Sequence, residues 1–183
     1  MEREGVLPQR TKPVASAAVV PAPGAQIALT LLRLTLGVLF VSVFFENKGK
    51  GLYTPDGYAG LIGGYIKNGH APAAWKAVMQ FAADHATVTA PLQAVTELSF
   101  GVLLLVGLLT RPVGLAAFAF LTSLWVSELG TAWPWELLVP MIVALSLALG
   151  GAGRALGVDG ALHARLEAAA RGNGIARLLY AIT

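Results

Sequence analysis

The chain of 183 residues contains no cysteine. It can therefore form no disulfide, no catalytic thiolate and no cysteine-ligated zinc or iron–sulfur centre of its own. Charged residues are also scarce, at 13% of the chain, against about 25% in an ordinary soluble domain. Its only histidines, His70, His85 and His163, lie outside the long apolar runs. They also lack metal-site spacing with acidic residues, so we expect no metal site and no haem bound by this chain alone.

Hydrophobic residues are abundant instead, at 56% of the chain, and they are clustered. Four apolar runs each approach the roughly 20 residues that a membrane-spanning helix needs, and they cover residues 27–45, 91–109, 113–129 and 135–152. None of them shows the period-two alternation of barrel strands. We therefore predict an all-α integral membrane protein, an antiparallel bundle of four transmembrane helices.

The basic residues predict the orientation of this bundle. With four spans, one side carries the N-terminal tail, the turn after the second span and the C-terminal tail, and its basic residues are Arg3, Arg10, Lys12, Arg111, Arg154, Arg165, Arg171 and Arg177. The other side carries four lysines in one long loop. The positive-inside rule then places both termini in the cytoplasm and the protein in the cytoplasmic (inner) membrane.

Three regions follow from these spans. Residues 1–25 mix charges with prolines and are expected to form a flexible cytoplasmic tail, with a cleaved leader ending near Ala25 as the alternative. Residues 26–153 form the transmembrane domain, in which Thr110, Arg111 and Pro112 make a tight cytoplasmic turn between the second and third spans. Residues 154–183 form a cytoplasmic amphipathic tail, with surface helices at 161–171 and 175–181.

The long outer loop, residues 46–90, is expected to contain two short helices. Thr54 and Pro55 supply a helix start, so we predict one helix from Pro55 to Lys67 and a second from Pro72 to about His85. The first would place Tyr58, Leu61, Ile62 and Tyr65 on one face, which suits a helix lying in the membrane interface. The two helices either cover the bundle as a lid or only anchor the protein at the lipid headgroups.

Four carboxylates fall in the outer half of the predicted bundle. Glu46, Glu128 and Glu136 lie near the outer ends of their spans, and Glu97 lies about two helical turns below that surface. Carboxylates gathered in an apolar setting can hold or relay protons near neutral pH, so we assign proton handling to Glu97 and Glu136. A quinone headgroup is the ligand that suits such a site. The candidate binding residues are Arg33, Glu46, Glu128, Trp135, Tyr58 and Tyr65.

Arg33 lies about two turns inside the first span and has two interpretations. It can extend to the cytoplasmic surface, or it can turn inward and pair with a carboxylate, because intramembrane charges usually face the bundle and find partners. The candidate partner is Glu97. In that case Glu97 is a structural residue, and the other three carboxylates are ordinary interface residues.

Three motifs occur in order along the chain. They are Arg33-Leu34 with Gly37, Glu97-Leu-Ser-Phe-Gly101 with Gly107-Leu-Leu-Thr-Arg111, and Trp135-Glu136-Leu137 with Gly151-Ala-Gly-Arg154 and Asp159. With these motifs the chain resembles the DoxX/DoxD-like family of small four-helix membrane proteins, over about residues 30–160. The resemblance implies a four-helix bundle and, for the DoxD branch, a membrane subunit of thiosulfate:quinone oxidoreductase that passes electrons to quinone.

Two functions are consistent with these features. The first is a subunit associated with quinone-linked redox chemistry, with quinone as its ligand and no covalently bound cofactor. The second is a non-catalytic scaffold or accessory subunit of a larger membrane complex. Both predict contact with the lipid bilayer and with other membrane or cytoplasmic subunits, or with further copies of the chain. The low, dispersed net charge of +3 argues against nucleic acid as a partner.

Overall fold

The structure, a computed structural model, describes residues 23–182, and every element in that range is a helix. The helices are α1 (Pro23–Gly49), α2 (Pro55–Asn68), α3 (Ala73–Asp84), α4 (Ala86–Val106), α5 (Thr110–Ser127), α6 (Pro134–Gly150), α7 (Gly153–Leu156), α8 (Val158–Ala169) and α9 (Gly174–Ile182). The all-α prediction is confirmed for this part of the chain. The predicted flexible tail lies outside the described residues up to residue 22, and its last residues, 23–25, already belong to α1.

The four longest helices share one apolar core. α1 packs against α4 and α6, and α5 packs against α6 and α4. Leu36 of α1, Leu104 of α4, Leu121 of α5 and Leu147 of α6 are all buried in this core. The rings of Phe40, Phe100 and Phe120 add a three-ring contact between α1, α4 and α5.

Two glycines bring α1 and α4 into close contact. A Cβ atom at Gly101 would lie 2.6 Å from Cγ2 of Val41, and one at Gly37 would lie 2.9 Å from Cγ of Leu105. Small residues of this kind let helix backbones approach each other closely. Close packing matters in a membrane, because the hydrophobic effect does not drive helices together there. The close approach is what brings residues near the end of α1 to the face of α4 that carries Glu97.

The outer surface of the long helices is unusually apolar. α1 and α4 are long and apolar enough to cross a membrane, and α6 is apolar but shorter. Large hydrophobic side chains are exposed along α1, α4, α5 and α6, among them Leu31, Val38, Val95, Val102, Leu115, Val139 and Leu149. An exposed apolar surface that extends over several helices is typical of a site that contacts a membrane or another protein.

The turn between α4 and α5 differs from the prediction. α4 ends at Val106, where Gly107 adopts a left-handed conformation (φ 69°) and donates to the carbonyl of Leu103. Leu109 is also left-handed (φ 53°). Thr110, Arg111 and Pro112, the predicted turn, instead form the first turn of α5. Proline is tolerated in the first turn of a helix. The N–H groups of that turn have no hydrogen-bond partner within the helix, so the N–H that proline lacks is not missed there.

The helices of the loop between α1 and α4 pack against each other and against α4. Tyr58 and Ile62 of α2 are buried in a small second core with Met79 of α3 and Ala86 and Ala90 of α4. The face of α2 that was predicted to lie in the membrane interface is therefore covered by protein. α3 also contacts α5, so α2 and α3 together cover one end of the main core.

Candidate functional site

Glu97 lies on the face of α4 that packs against α1, and only 2% of its surface is exposed. Three side chains donate hydrogen bonds to its carboxylate. The Tyr53 hydroxyl and Asn47 Nδ2 donate to Oε2, the latter at 3.2 Å, and Gln93 Nε2 donates to Oε1 at 2.8 Å. Both carboxylate oxygens thus have hydrogen-bond donors, and none of the three donors is basic. We call these four residues the Glu97 cluster.

An apolar cleft of about 340 Å³ adjoins this cluster and is open on one side. Its lining comes from α1, from the turn that follows α1, and from the first half of α4, and consists of Phe44, Lys48, Tyr53, Pro91, Ala94, Val95 and Leu98. The rings of Phe44 and Tyr53 stack at 5.4 Å between centroids. Tyr53 therefore belongs to both features, because its ring lines the cleft and its hydroxyl reaches Glu97. We call this space the α1–α4 cleft.

Burial raises the pKa of the Tyr53 hydroxyl above its ordinary value, and the hydrogen bond to Glu97 and the charge of Glu97 raise it further. A phenol in this setting stays protonated across the physiological pH range. It therefore acts as a hydrogen-bond donor at the back of the cleft.

A second polar group lies where α2 meets the α5–α6 turn. The Tyr65 hydroxyl donates to Oε1 of Glu128 at 3.0 Å. Burial, followed by the charges of Glu128 and Glu136, raises the pKa of Tyr65. Glu136 itself is exposed at the start of α6. Two of the predicted outer carboxylates, Glu128 and Glu136, are therefore close enough to interact electrostatically. Among the described residues, no hydrogen bond joins either of them to the Glu97 cluster.

The remaining candidate binding residues of the outer half lie elsewhere. Glu46 points away from the core, with its side chain 62% exposed and paired with Lys50 Nζ at 2.5 Å. Trp135 is exposed at the start of α6. Tyr58 is buried beneath α3, and its pKa is raised by that burial. The four outer carboxylates thus do not form one group: Glu128 and Glu136 lie near each other, Glu46 pairs with Lys50, and Glu97, of these four, adjoins the α1–α4 cleft.

Arg33 is buried within the protein, with 1% of its surface exposed, so its side chain does not extend to the surface of the molecule. Its Nη1 donates to the carbonyls of Leu104, at 2.5 Å, and Leu105, at 3.1 Å, and its Nη2 donates to that of Leu156 at 2.7 Å. The proposed pairing of Arg33 with Glu97 is therefore wrong. Carbonyls in the last turn of a helix lack partners within the helix, and a guanidinium at the end of α4 also complements the helix dipole.

Asp159 completes this end of the molecule from the C-terminal side. Its side chain is fully buried and accepts hydrogen bonds from the backbone N–H groups of Leu109, at 2.7 Å, and Thr110, at 2.8 Å. A carboxylate at the N-terminus of α5 is favoured for the same reasons that favour a cation at the C-terminus of α4. Arg33 and Asp159 also attract each other electrostatically. The α4–α5 turn is therefore held between opposite charges.

Three residues of the Glu97 cluster were not identified from the sequence. Gln93 could have been, because it precedes Glu97 by four residues, the spacing that brings helical side chains together. Asn47 and Tyr53 carry no such local signal. Their contact with Glu97 depends on the packing of α1 against α4 and on the turn between α1 and α2.

Comparison with known proteins supports the resemblance. No curated protein and no solved structure matches the chain. The model of the family described as TQO small subunit DoxD matches residues 28–179, which is most of the chain and includes all three sequence motifs. The chain therefore belongs to the DoxD family.

Proposed function

We propose that this protein is the membrane-embedded small subunit of a quinone-linked oxidoreductase of the TQO (thiosulfate:quinone oxidoreductase) type, and that a quinone headgroup binds in the α1–α4 cleft. The family match over residues 28–179 supports the first part. The position of Tyr53, between the cleft and the buried Glu97, supports the second.

The family and the apolar helices α1 and α4 indicate a membrane protein. We extend this to four antiparallel spans, α1, α4, α5 and α6, in the cytoplasmic membrane with both termini in the cytoplasm. The exposed apolar side chains on all four helices favour contact with lipid. In this arrangement Val95, which lines the cleft and is 63% exposed, faces the lipid. A lipid-soluble ligand would then enter the cleft sideways from the bilayer.

The lining of the cleft fits a quinone headgroup. Its volume of about 340 Å³ lies at the lower end of the range for small-molecule sites, roughly 300–1,000 Å³. Its walls are mostly apolar, and the stacked rings of Phe44 and Tyr53 suit a flat ring. The Tyr53 hydroxyl and the Lys48 ammonium group are the donors available to the two carbonyl oxygens of a quinone. A bound quinone would supply the redox chemistry, as acceptor of electrons and protons.

The Glu97 cluster would position the donor and supply its proton. The carboxylate of Glu97 accepts the hydrogen bond from Tyr53. When Glu97 is protonated, its own O–H can donate to the Tyr53 oxygen, which turns the Tyr53 hydroxyl toward the ligand. Asn47 and Gln93 hold the carboxylate in place in both states. The cysteine-free chain cannot form a persulfide, so thiosulfate chemistry would fall to a partner subunit.

Saturable binding of a short-chain ubiquinone and a short-chain menaquinone analogue to the purified protein tests the proposal. Ala94→Phe fills the cleft and is expected to abolish binding, and a photoreactive analogue should label residues 44–53 or 91–98. Val139→Phe, a change of similar size on an exposed face of α6, is the matched control and should bind normally. The quinone site would be contradicted if the wild type showed no saturable binding, or if Ala94→Phe bound the analogues as well as the wild type does.

The accessory-subunit function is favoured by a different observation. Ile175 and Leu179 of α9 are exposed, at 70% and 37%, on a helix at the end that we propose faces the cytoplasm. A subunit whose only task is assembly would keep this surface and need no ligand. Quinone-dependent electron transfer by the intact complex that survives Ala94→Phe would favour this second function.

A further inference from the structure

A small pocket lies at the turn between α5 and α6, at the other end of α5 from the α4–α5 turn. Its volume is about 20 Å³. The lining comes from the last turn of α5, from the turn itself and from the first turn of α6, and consists of Trp125, Glu128, Leu129, Gly130, Ala132, Trp133, Pro134 and Leu137. It shares no lining residue with the α1–α4 cleft. We call this space the α5–α6 pocket.

The backbone of the turn brings a carboxylate and an indole ring into the same pocket. The carbonyl of Glu128 accepts hydrogen bonds from the backbone N–H and the Oγ1 of Thr131, both at 2.9 Å. Gly130 adopts a left-handed conformation (φ 83°), which glycine takes at no steric cost. The Nε1 of Trp125 donates to the carbonyl of Pro134 at 3.2 Å, which ties the ring to the start of α6. The walls of the pocket are therefore fixed by bonds within the turn.

One oxygen of the Glu128 carboxylate is available to a ligand. The Tyr65 hydroxyl donates to Oε1 at 3.0 Å, and no donor among the described residues reaches Oε2. A second carboxylate, Glu136, follows the pocket lining directly, and its backbone N–H donates to the carbonyl of Trp133 at 3.1 Å. No described residue forms an ion pair with Glu128 or Glu136. Two neighbouring carboxylates without a basic partner favour a cationic ligand.

The size and the walls of the pocket define the class of cation. The face of an indole ring attracts cations, and two indoles, Trp125 and Trp133, line the pocket beside Glu128. A volume of about 20 Å³ has room for roughly one water-sized group. A primary ammonium group is of that size, whereas the three methyl groups of a trimethylammonium make it much larger. The pocket therefore fits a primary and excludes a quaternary ammonium group.

We propose that the α5–α6 pocket binds a primary ammonium group, which donates to Oε2 of Glu128 and lies against the rings of Trp125 and Trp133. In the proposed orientation the turn lies at the outer headgroups of the membrane. Trp133 and Trp135, 76% and 65% exposed, are of the residue type enriched at that depth. An ethanolamine phospholipid carries such a group there, and a soluble amine carries it in water. The site does not depend on quinone binding.

The experiment titrates the full chain, purified in a maltoside detergent, with dihexanoyl phosphatidylethanolamine and in parallel with dihexanoyl phosphatidylcholine. Tryptophan fluorescence follows binding. We expect a saturable change with the ethanolamine lipid and binding at least about tenfold weaker with the choline lipid, because its methyl groups exceed the pocket. The proposal is overturned if the two lipids bind equally, or if the ethanolamine lipid shows no saturable binding, as when a single water molecule fills the pocket.

Two pairs of variants locate the site. Glu128→Gln keeps the oxygen to which Tyr65 donates and removes the charge, so it should weaken binding about tenfold, as expected for one lost charge-assisted hydrogen bond. Its control is Glu46→Gln, which changes an exposed carboxylate paired with Lys50 and should bind normally. An equal loss of affinity in Glu46→Gln would contradict the assignment of Glu128.

The second pair changes two exposed tryptophans, which the fold does not require. Trp133→Leu should weaken binding about threefold, the effect of losing one exposed contact between a cation and an indole. Trp135→Leu, at a similarly exposed residue outside the pocket lining, should bind as the wild type does. If Trp135→Leu weakened binding as much as Trp133→Leu, the ligand would lie on the general membrane surface and not in the pocket.

Free ethanolamine, compared with sodium chloride at equal ionic strength, distinguishes the sources of the ammonium group. Tighter binding of the lipid than of ethanolamine would identify the lipid headgroup as the ligand, and equal affinity would identify a soluble amine; both outcomes support a primary ammonium site. A response to sodium chloride equal to that to ethanolamine would show that any cation suffices and would overturn the proposal.

Discussion

The hydroxyl of Tyr53 donates a hydrogen bond to Oε2 of Glu97, although the two residues are 44 positions apart in the sequence. The bond links the wall of an open apolar cleft to a carboxylate that is 2% exposed. A buried carboxylate is stable only when its oxygens accept hydrogen bonds, and here Asn47 and Gln93 donate to it together with Tyr53. In the proposed function, the same bond would carry a proton between the cleft and the protein interior.

Replacing Tyr53 by phenylalanine removes one donor from the buried carboxylate and leaves the ring in place. We expect the free energy of unfolding to fall by about 1–3 kcal/mol, the cost of leaving a buried polar group short of a partner. Thermal or denaturant unfolding in a mild detergent measures this change. Glu46→Gln breaks only the exposed pair with Lys50 and should change stability by less than about 1 kcal/mol. Equal effects of the two substitutions would show that the bond to Glu97 contributes nothing.

Alkaline titration should reveal the buried tyrosines. The folded-state pKa values of Tyr53, Tyr58 and Tyr65 are raised above the ordinary value, so these side chains should ionise later than exposed tyrosines. The unfolded chain loses those protons first, and stability is therefore full below about pH 10 and falls as the pH rises above it. Tyrosinate absorbance measures the ionisation. Tyr53→Phe and Tyr65→Phe should each remove one tyrosine that ionises at high pH. If either substitution instead removed a tyrosine that ionises near the ordinary pKa, that residue would not be the buried group.

Arg33→Met should loosen the end of the molecule at which α4 meets α7. It leaves the carbonyls of Leu104, Leu105 and Leu156 without the guanidinium, and Asp159 without its nearby cation. We expect a loss of about 3–5 kcal/mol, as for removal of one member of a buried charge pair. Arg33→Lys keeps the charge but lacks the fork that reaches both helices, so its loss should be smaller.

Limited trypsin digestion gives a second measure of the same change, because α8 contains the exposed Arg165. Cleavage there should speed up in Arg33→Met and not in a control at an exposed arginine, Arg171→Met. Unchanged cleavage together with unchanged unfolding would show that Arg33 does not hold α7 in place.

Acidification should weaken the contact between α8 and α9. The pKa of His163 in the folded state is lowered from the ordinary value of 6.5, chiefly by burial and also by Arg154 and Arg111. The unfolded segment therefore binds a proton first as the pH falls below about 6.5, so the contribution to stability is full above that pH and is lost as the pH falls through the folded-state pKa. Hydrogen exchange of the α9 amides across this range measures the effect, and His163→Gln should flatten it.

Much of the fold could be predicted because its causes lie within single segments. An apolar run of membrane-spanning length predicts a helix without any knowledge of the segments that pack against it. The reason is that backbone N–H and C=O groups surrounded by lipid must form their hydrogen bonds within the same segment. The three motifs likewise indicated the DoxD family, and Glu97 was notable as a carboxylate inside an apolar run. Gln93 lies one helical turn before Glu97, so its contact with Glu97 could have been predicted from the spacing of the two residues.

Only the tertiary structure decided which residues Glu97 and Arg33 contact. The depths of Arg33 and Glu97 along their spans differ by roughly 9 Å on the helical rise, which an extended arginine could nearly bridge, but pairing also depends on which helix faces meet. Gly37 and Gly101 set the contact of α1 with α4, and that contact brings Asn47 and Tyr53 to Glu97 and directs Arg33 to the end of α4. The α4–α5 turn was likewise decided by Asp159, 50 residues beyond Leu109. Hydrogen bonds between residues distant in sequence have no local pattern, so the sequence by itself determined the helices and the family, and the packing determined the site.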